Sequence, residues 1–127
     1  MAVGRLKRRQ DFLRVAAAQR RCATPSLVLQ ARRTPEDERV DGPRLRVGFT
    51  ASRKIGGAVQ RNRARRRLRA AVCRIMPAHA APDHDYVVIA RAGALTRAFP
   101  ALIGDLEAAL RRLGTFRDGG AHAGRGA

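Results

Sequence analysis

Tryptophan is absent from this 127-residue chain, aromatic residues make up only 4% of it, and lysine occurs only at Lys7 and Lys54. A core built on stacked rings is excluded, so the 45% of hydrophobic residues must pack mainly through Leu, Val, Ile and Ala. Cysteine is nearly as scarce: Cys22 and Cys73 stand far apart, with no CxxC pair and no histidine at ligand spacing. That argues against a zinc ribbon or a disulfide framework and points to two reduced thiols in a cytoplasmic protein. No apolar run approaches the ~18–20 residues that a membrane span needs, and Val15–Ala18 is too short for the apolar centre of a signal peptide. Acids are few as well, ten against 27 Lys and Arg, which leaves a formal net charge of +17.

Arginine supplies all but two of those 27 basic residues. Its planar fork pairs with phosphate through two hydrogen bonds and stacks on bases, whereas lysine acts as a point charge. A genome-wide preference for Arg, Ala and Gly codons competes as an explanation of Arg over Lys. It does not explain the net charge, whose self-repulsion a polyanionic partner would relieve.

The length suits a single domain. Gln10–Ala18 reads as a short helix with Phe12, Leu13, Val15, Ala16 and Ala17 in its apolar half. Cys22–Pro25 is extended, and Ser26–Arg32 alternates as a strand. Thr34–Pro43 carries acids, two prolines and a glycine, as an exposed hairpin connection would. Arg44–Ser52 is the clearest strand, with Leu45, Val47, Phe49 and Ala51 on one face and Arg46, Gly48, Thr50 and Ser52 on the other. After Gly56–Gly57 a helix is expected from Ala58 to Met76, stopped by Pro77. Asp85–Arg91 reads as a central strand, because its apolar run is nearly continuous. Thr96–Leu113 is an amphipathic helix with Phe99, Leu102, Leu106, Leu110 and Leu113 on one stripe and Gly114 as its stop. The expectation is an α+β domain over residues 1–114, ordered αβββαβα around one small sheet, with a disordered basic Gly/Ala-rich tail at 115–127.

Ser52–Arg69 carries the functional signal. At ~100° per residue, Ala64, Leu68, Ala71, Val72 and Ile75 fall on one side of a helix. Asn62, Arg63, Arg66, Arg67 and Arg69 spread over the other, Arg65 lies at the border, and Arg61 turns towards the packed side. Like charges at i, i+3 and i+4 repel, each pair costing a few tenths of a kcal/mol, and nothing acidic in the segment offsets them. Several also lie near the helix N-terminus, where the dipole disfavours cations. A merely solvated basic face is the plain alternative; binding an external polyanion explains the uniform sign better. The two glycines offer backbone N–H groups to a phosphate, yet no GxxxxGK[ST] loop is present.

The run Leu45-Arg-Val-Gly-Phe-Thr-Ala-Ser-Arg-Lys-Ile-Gly-Gly-Ala-Val-Gln-Arg-Asn-Arg-Ala-Arg-Arg66 resembles the signature of the protein component of bacterial ribonuclease P. Arg5-Leu-Lys7 with Asp11-Phe12, and Asp85-Tyr-Val-Val-Ile-Ala-Arg91, support it in the correct order over roughly residues 5–113. The resemblance implies a small mixed four-stranded sheet with three helices in two layers, similar to domain 2 of ribosomal protein S5, with a left-handed βαβ crossover. It implies RNA-bound Mg2+ and catalysis by an RNA, with the protein stabilising that RNA and binding the 5′ leader of precursor tRNA, and no organic cofactor, membrane or obligate protein partner. By the same resemblance Arg53, Lys54, Arg61, Asn62, Arg63, Arg65, Arg66 and Arg69 contact the catalytic RNA, and Phe12, Gln30 and Arg46 line the leader-binding cleft. No catalytic residue is expected in the protein itself. Taken alone, a Phe on an apolar helix face reads as core. The chain departs from the pattern at Ala16 and Gln30, where aromatics are usual, and at Arg67, where an apolar residue is usual. Leader binding is therefore expected to rest more on charge and hydrogen bonds than on stacking.

Other readings give less. His79 and His84 near Asp83 and Asp85 sit in a proline-bearing loop rather than in a metal site, and no histidine is placed with a Ser or Cys partner. The resemblance also implies metal ions near the basic motif, to which Asn62 would offer an oxygen; the metal ligands themselves are left open. A ribosomal-protein-like general RNA-binding module is the alternative function; it would not distinguish precursor from mature tRNA.

Overall fold

A computed structural model describes residues 2–39, 41–42 and 44–118. In chain order its elements are β1 (Val3–Arg5), α1 (Arg9–Ala17), β2 (Arg21–Ala23), β3 (Leu27–Arg33), β4 (Leu45–Thr50), α2 (Ala58–His79), β5 (His84–Ala90), α3 (Gly93–Thr96) and α4 (Phe99–Arg112), with single 3-10 turns at Glu36–Glu38 and Arg53–Ile55. The α+β class is as expected, but the described sheet has five strands rather than four, in the order β1-β4-β5-β3-β2, and there are four helices rather than three. The added strand, β1, is three residues long and pairs in parallel with β4, too short to leave an alternation in the sequence.

β5 lies at the centre, parallel to β4 and antiparallel to β3. Its run Tyr86–Val88 is buried on both faces, which is why the segment carries no alternation. Because β5 separates β3 from β4, the stretch 34–43 is not the hairpin connection its composition suggested; it crosses one strand and forms the acidic turn Glu36–Glu38 on the way. A parallel neighbour needs a crossover of a dozen residues or more, and α2 supplies it between β4 and β5.

The main core lies between one sheet face and helices α2 and α4. Leu27, Leu29, Leu45, Val47, Tyr86 and Val88 project from the sheet to meet Leu68, Val72, Leu102, Leu106 and Leu110. Those last three leucines are fully buried, and trimming any one to Ala would cost about 2–5 kcal/mol. The expected two layers hold for this core. On the opposite sheet face α1 adds a partial third layer, a small cluster of Leu6, Val15 and Val87 with Phe12 and Ile89 beside it. Only Asp11 and Val15 of α1 are buried, whereas Leu13, Ala16 and Ala17 face outward, since they sit on a second stripe that the sheet does not reach.

Three boundaries move. α2 continues past Pro77 to His79, because a proline in the last turn forfeits one hydrogen bond only, and Ala80 N–H still closes on the Met76 carbonyl at 3.1 Å. The expected single helix from Thr96 is two: the chain is extended at Arg97 and Ala98 before Pro100 opens α4 in its first turn. Gly114 (φ +73°) ends that helix as expected. The tail, however, does not start at Thr115. Thr115 is buried, its carbonyl accepts from Ala81 N–H at 2.8 Å, and Phe116 stacks on His79 with ring centroids 5.1 Å apart. Residues 119–127 of the expected tail lie outside the described residues.

Candidate nucleic-acid interface

α2 separates its faces as the spacing required. Ala64, Leu68, Ala71, Val72, Ile75 and Met76 are buried against the sheet and α4, and Asn62, Arg63, Arg66 and Arg69 are exposed. Arg61 and Arg65 are half-buried, the latter donating to the Asn62 side-chain oxygen at 2.6 Å, which leaves that oxygen already engaged. Arg69 lies over the Phe49 ring at 5.4 Å. Arg53 and Lys54 are exposed in the 3-10 turn before the helix, held there by Ser52, whose hydroxyl accepts from Lys54 N–H at 3.3 Å.

Among the described residues none of these cations on α2 or its leading turn has an acidic partner. Every ion pair found there joins Arg14, Arg32, Arg39, Arg44, Arg46 or Arg97 to an acid elsewhere. The helix N-terminus has no acid in its first turn and no side-chain cap, so its amide groups are left to solvent or a ligand. Val59, 77% exposed, stands in that same first turn; an apolar side chain beside so many cations is a feature the charge pattern hid.

Arg67 is the exception on α2. It was expected outward, yet it is half-buried and its guanidinium donates to the carbonyls of Ala94 (2.7 Å) and Arg97 (2.5 Å) at the end of α3. It joins α2 to α3, where an apolar side chain would only have packed. Arg97 continues the connection, donating to Asp105 at 3.1 Å, and Ser26 donates to the same carboxylate at 2.7 Å.

The second surface lies between α1 and the sheet. Register sets Gly48 beside Val87 and Val87 beside Gln30, with Arg46, Asp85 and Arg32 forming the next row. Phe12 is half-buried and rests on Gly48: a Cβ there would come within 2.5 Å of its ring. Glycine in a strand was the available signal for that close approach. Phe12, Gln30 and Arg46 thus share one face of the sheet side covered by α1, where Phe12 packs against the small core.

The arginines on the sheet floor of this cleft are paired with acids, while Arg5, Lys7 and Arg8 at its rim have no acidic partner among the described residues. Arg46 donates through two nitrogens to Asp85 (3.0 and 2.8 Å), which is itself 3% exposed, and approaches Asp11 at 3.9 Å. Arg32 donates through two nitrogens to Glu38 at 3.0 and 3.1 Å. That bond holds the Glu38 carboxyl below its ordinary value, and Arg44 does the same for Asp83. A cavity of about 500 Å³ opens at this end of α1, lined among others by Lys7, Arg8, Arg14, Glu38 and Arg46.

Among the described residues the two histidines are each turned to a backbone carbonyl. His79 Nδ1 meets the Arg117 carbonyl and His84 Nδ1 the Pro82 carbonyl, each at 2.8 Å. Burial lowers the pKa of His84, while burial pushes the Tyr86 hydroxyl up to about 12, its proton donated to the Ala81 carbonyl at 2.9 Å. Among the described residues no three His, Cys, Asp or Glu side chains are grouped as metal ligands.

A family model described as Ribonuclease P matches residues 2–114. The chain is 52% identical over 113 residues to the ribonuclease P protein component of Paramagnetospirillum magneticum, covering 89% of this chain and 84% of that one. It is 47% identical over 116 residues to the component of Caulobacter vibrioides, covering 91% and 74%. Among solved structures, the RNase P protein of Staphylococcus aureus superposes with a TM-score of 0.71 at 26% identity, over 89% of this chain and 97% of that one.

Proposed function

The chain belongs to the ribonuclease P protein family, which acts with an RNA partner in tRNA 5′ processing, and on that premise we propose that it is the non-catalytic subunit of the holoenzyme. In this reading α2 binds the catalytic RNA and stabilises its active form, and the α1–sheet cleft takes the 5′ leader of precursor tRNA. The observation that carries it is the segregation of charge: every ion pair among the described residues lies off α2, while Arg63, Arg66 and Arg69 are exposed on α2 without an acid, with Asn62 beside them.

Arg63, Arg66 and Arg69 repeat at three-residue spacing along one helix face, so their forks track a phosphate backbone. Arg53, Lys54 and the unoccupied amide groups of Ala58 and its neighbours extend the same positive surface past the helix start. Arg61 and Arg65, half-buried at the helix edge, reach the same backbone with their long stems. Phe12 offers a ring edge to an unstacked leader base, and Gln30 offers an amide to its polar edge. Hydrolysis of the phosphodiester would rest with the RNA, and Mg2+ held by that RNA would supply the activation of water. The protein's own side chains do not fit as a magnesium cage, since Asn62 is engaged by Arg65 and no ligand cluster exists among the described residues. The proposed setting is the cytoplasm; no helix among the described residues is long and apolar enough to cross a membrane.

Reconstitution tests the proposal. The purified chain is added to a bacterial ribonuclease P RNA at low magnesium, and 5′ cleavage of a precursor tRNA is followed. Cleavage needing both components is expected. Cleavage by the protein alone would overturn the non-catalytic role, and RNA binding without stimulation would favour a general RNA-binding module instead.

A further inference from the structure

The two arginines that floor the α1–sheet cleft are neutralised in different ways. Arg46 is tied to Asp85, an acid 3% exposed whose release would leave a charge buried and unpaired. Arg32 is tied to Glu38, an acid on a three-residue surface turn; its own side chain is 18% exposed, but the Glu38 side chain is 38% exposed against 4% for Asp85, so this carboxylate can leave into water. Exchange of that partner for another anion carries little desolvation cost. The bond geometry is the same two-pronged arrangement that a guanidinium makes with a phosphodiester. Position agrees: Arg32 lies in the row Arg46–Asp85–Arg32, next to the row that holds Gly48 under Phe12 and Gln30. Glu38 also borders the cavity at this end of α1.

We infer that the Glu38 carboxylate is an intramolecular stand-in for an RNA phosphate, occupying a phosphate subsite on Arg32 until a leader long enough to reach it displaces the acid. The inference rests on the proposed leader track. Glu38 then acts as an electrostatic end-stop: short leaders meet a neutral pair, and longer ones gain one backbone contact only after expelling the carboxylate. Glu36 and Asp37 belong to the same turn but have no arginine partner among the described residues, so the effect belongs to Glu38 rather than to the turn's charge.

The test is affinity of the reconstituted holoenzyme for precursor tRNAs carrying a graded series of leader lengths, at several salt concentrations. Glu38→Gln should tighten binding by roughly two- to fivefold, the range an exposed ion pair converts to. The gain should appear only beyond a threshold length, with the log–log salt slope steeper by about 0.7 there. Arg32→Gln should abolish the gain in the double variant, and Glu36→Gln should not reproduce it. A gain equal at all lengths, leaderless substrate included, would overturn the inference by showing a general charge effect; so would no gain, or a gain that survives Arg32→Gln. Failure of the track itself reads differently: wild-type affinity would not depend on leader length at all, and Phe12→Ala would change nothing at any length.

Discussion

Arginine does two different things on the two sides of this sheet. On α2, Arg63 and Arg66 stand exposed without an acid among the described residues, in a helix that would be more stable with mixed signs. In the α1–sheet cleft, Arg32 and Arg46 are each held by a carboxylate through two bonds. On α2 the charge stands unpaired; on the floor of the cleft it is cancelled arginine by arginine, and the unpaired cations Arg5, Lys7 and Arg8 lie at its rim. Net charge alone does not distinguish them, because it counts arginines and not their neighbours.

The largest expected effect lies on α2. Replacing Arg63 and Arg66 together by Ala should weaken catalytic-RNA binding at low salt by roughly a hundred- to ten-thousandfold, since each charge-assisted contact is worth about 1.5–3 kcal/mol, while the melting temperature stays near wild type. Filter binding and a thermal melt separate the two. In the cleft the order reverses. Arg46→Met leaves the buried Asp85 without its fork and should cost about 2–3 kcal/mol of folding stability in denaturant titration, with a smaller loss of RNA affinity. Gly48→Ala drives a Cβ into the Phe12 ring, which should cost about 1–3 kcal/mol and reduce discrimination between long-leader and leaderless substrates. Equal stability losses from the α2 and cleft variants would erase the comparison.

A pH titration gives the smallest effect. Burial holds His84 below its ordinary value of 6.5. The unfolded chain therefore takes up that proton first as pH falls, so it binds more protons than the folded chain in that window, and stability drops on acidification through it. Glu38 and Asp83, both lowered by arginines, act in the same direction only further down, below their ordinary values of 4.5 and 3.8. Denaturation midpoints of wild type and His84→Gln between the neutral range and mild acid should differ in slope; parallel curves would remove His84 as the cause.

Much of this was legible in the chain because it follows from period. Alternation at Leu45, Val47 and Phe49 marked β4, and i, i+4, i+7 spacing from Ala64 marked the packed face of α2. What escaped depends on partners distant in sequence. β1 is a strand because β4 offers it an edge, and no periodicity can show in three residues. Strand order escaped because Thr34–Pro43 has a turn's composition whether or not its flanking strands pair. Arg67 reads as one more exposed cation until α3 brings two carbonyls to it. Phe12, Gln30 and Arg46 were singled out only through the family signature; the acids that pair with Arg32 and Arg46 lie on α1, a turn and β5, and only folding brings them there.

The central claim, that the unpaired cations of α2 bind the catalytic RNA while the acid-paired arginines of the cleft floor do not, is tested most directly by the salt dependence of catalytic-RNA binding. For wild type, Arg63→Ala/Arg66→Ala and Arg32→Gln, log K is plotted against log salt. The double variant should lose about 1.4–1.8 units of slope, from roughly 0.7–0.9 for each phosphate contact, and Arg32→Gln almost none. A slope unchanged in the double variant, or reduced as much in Arg32→Gln, would contradict the account.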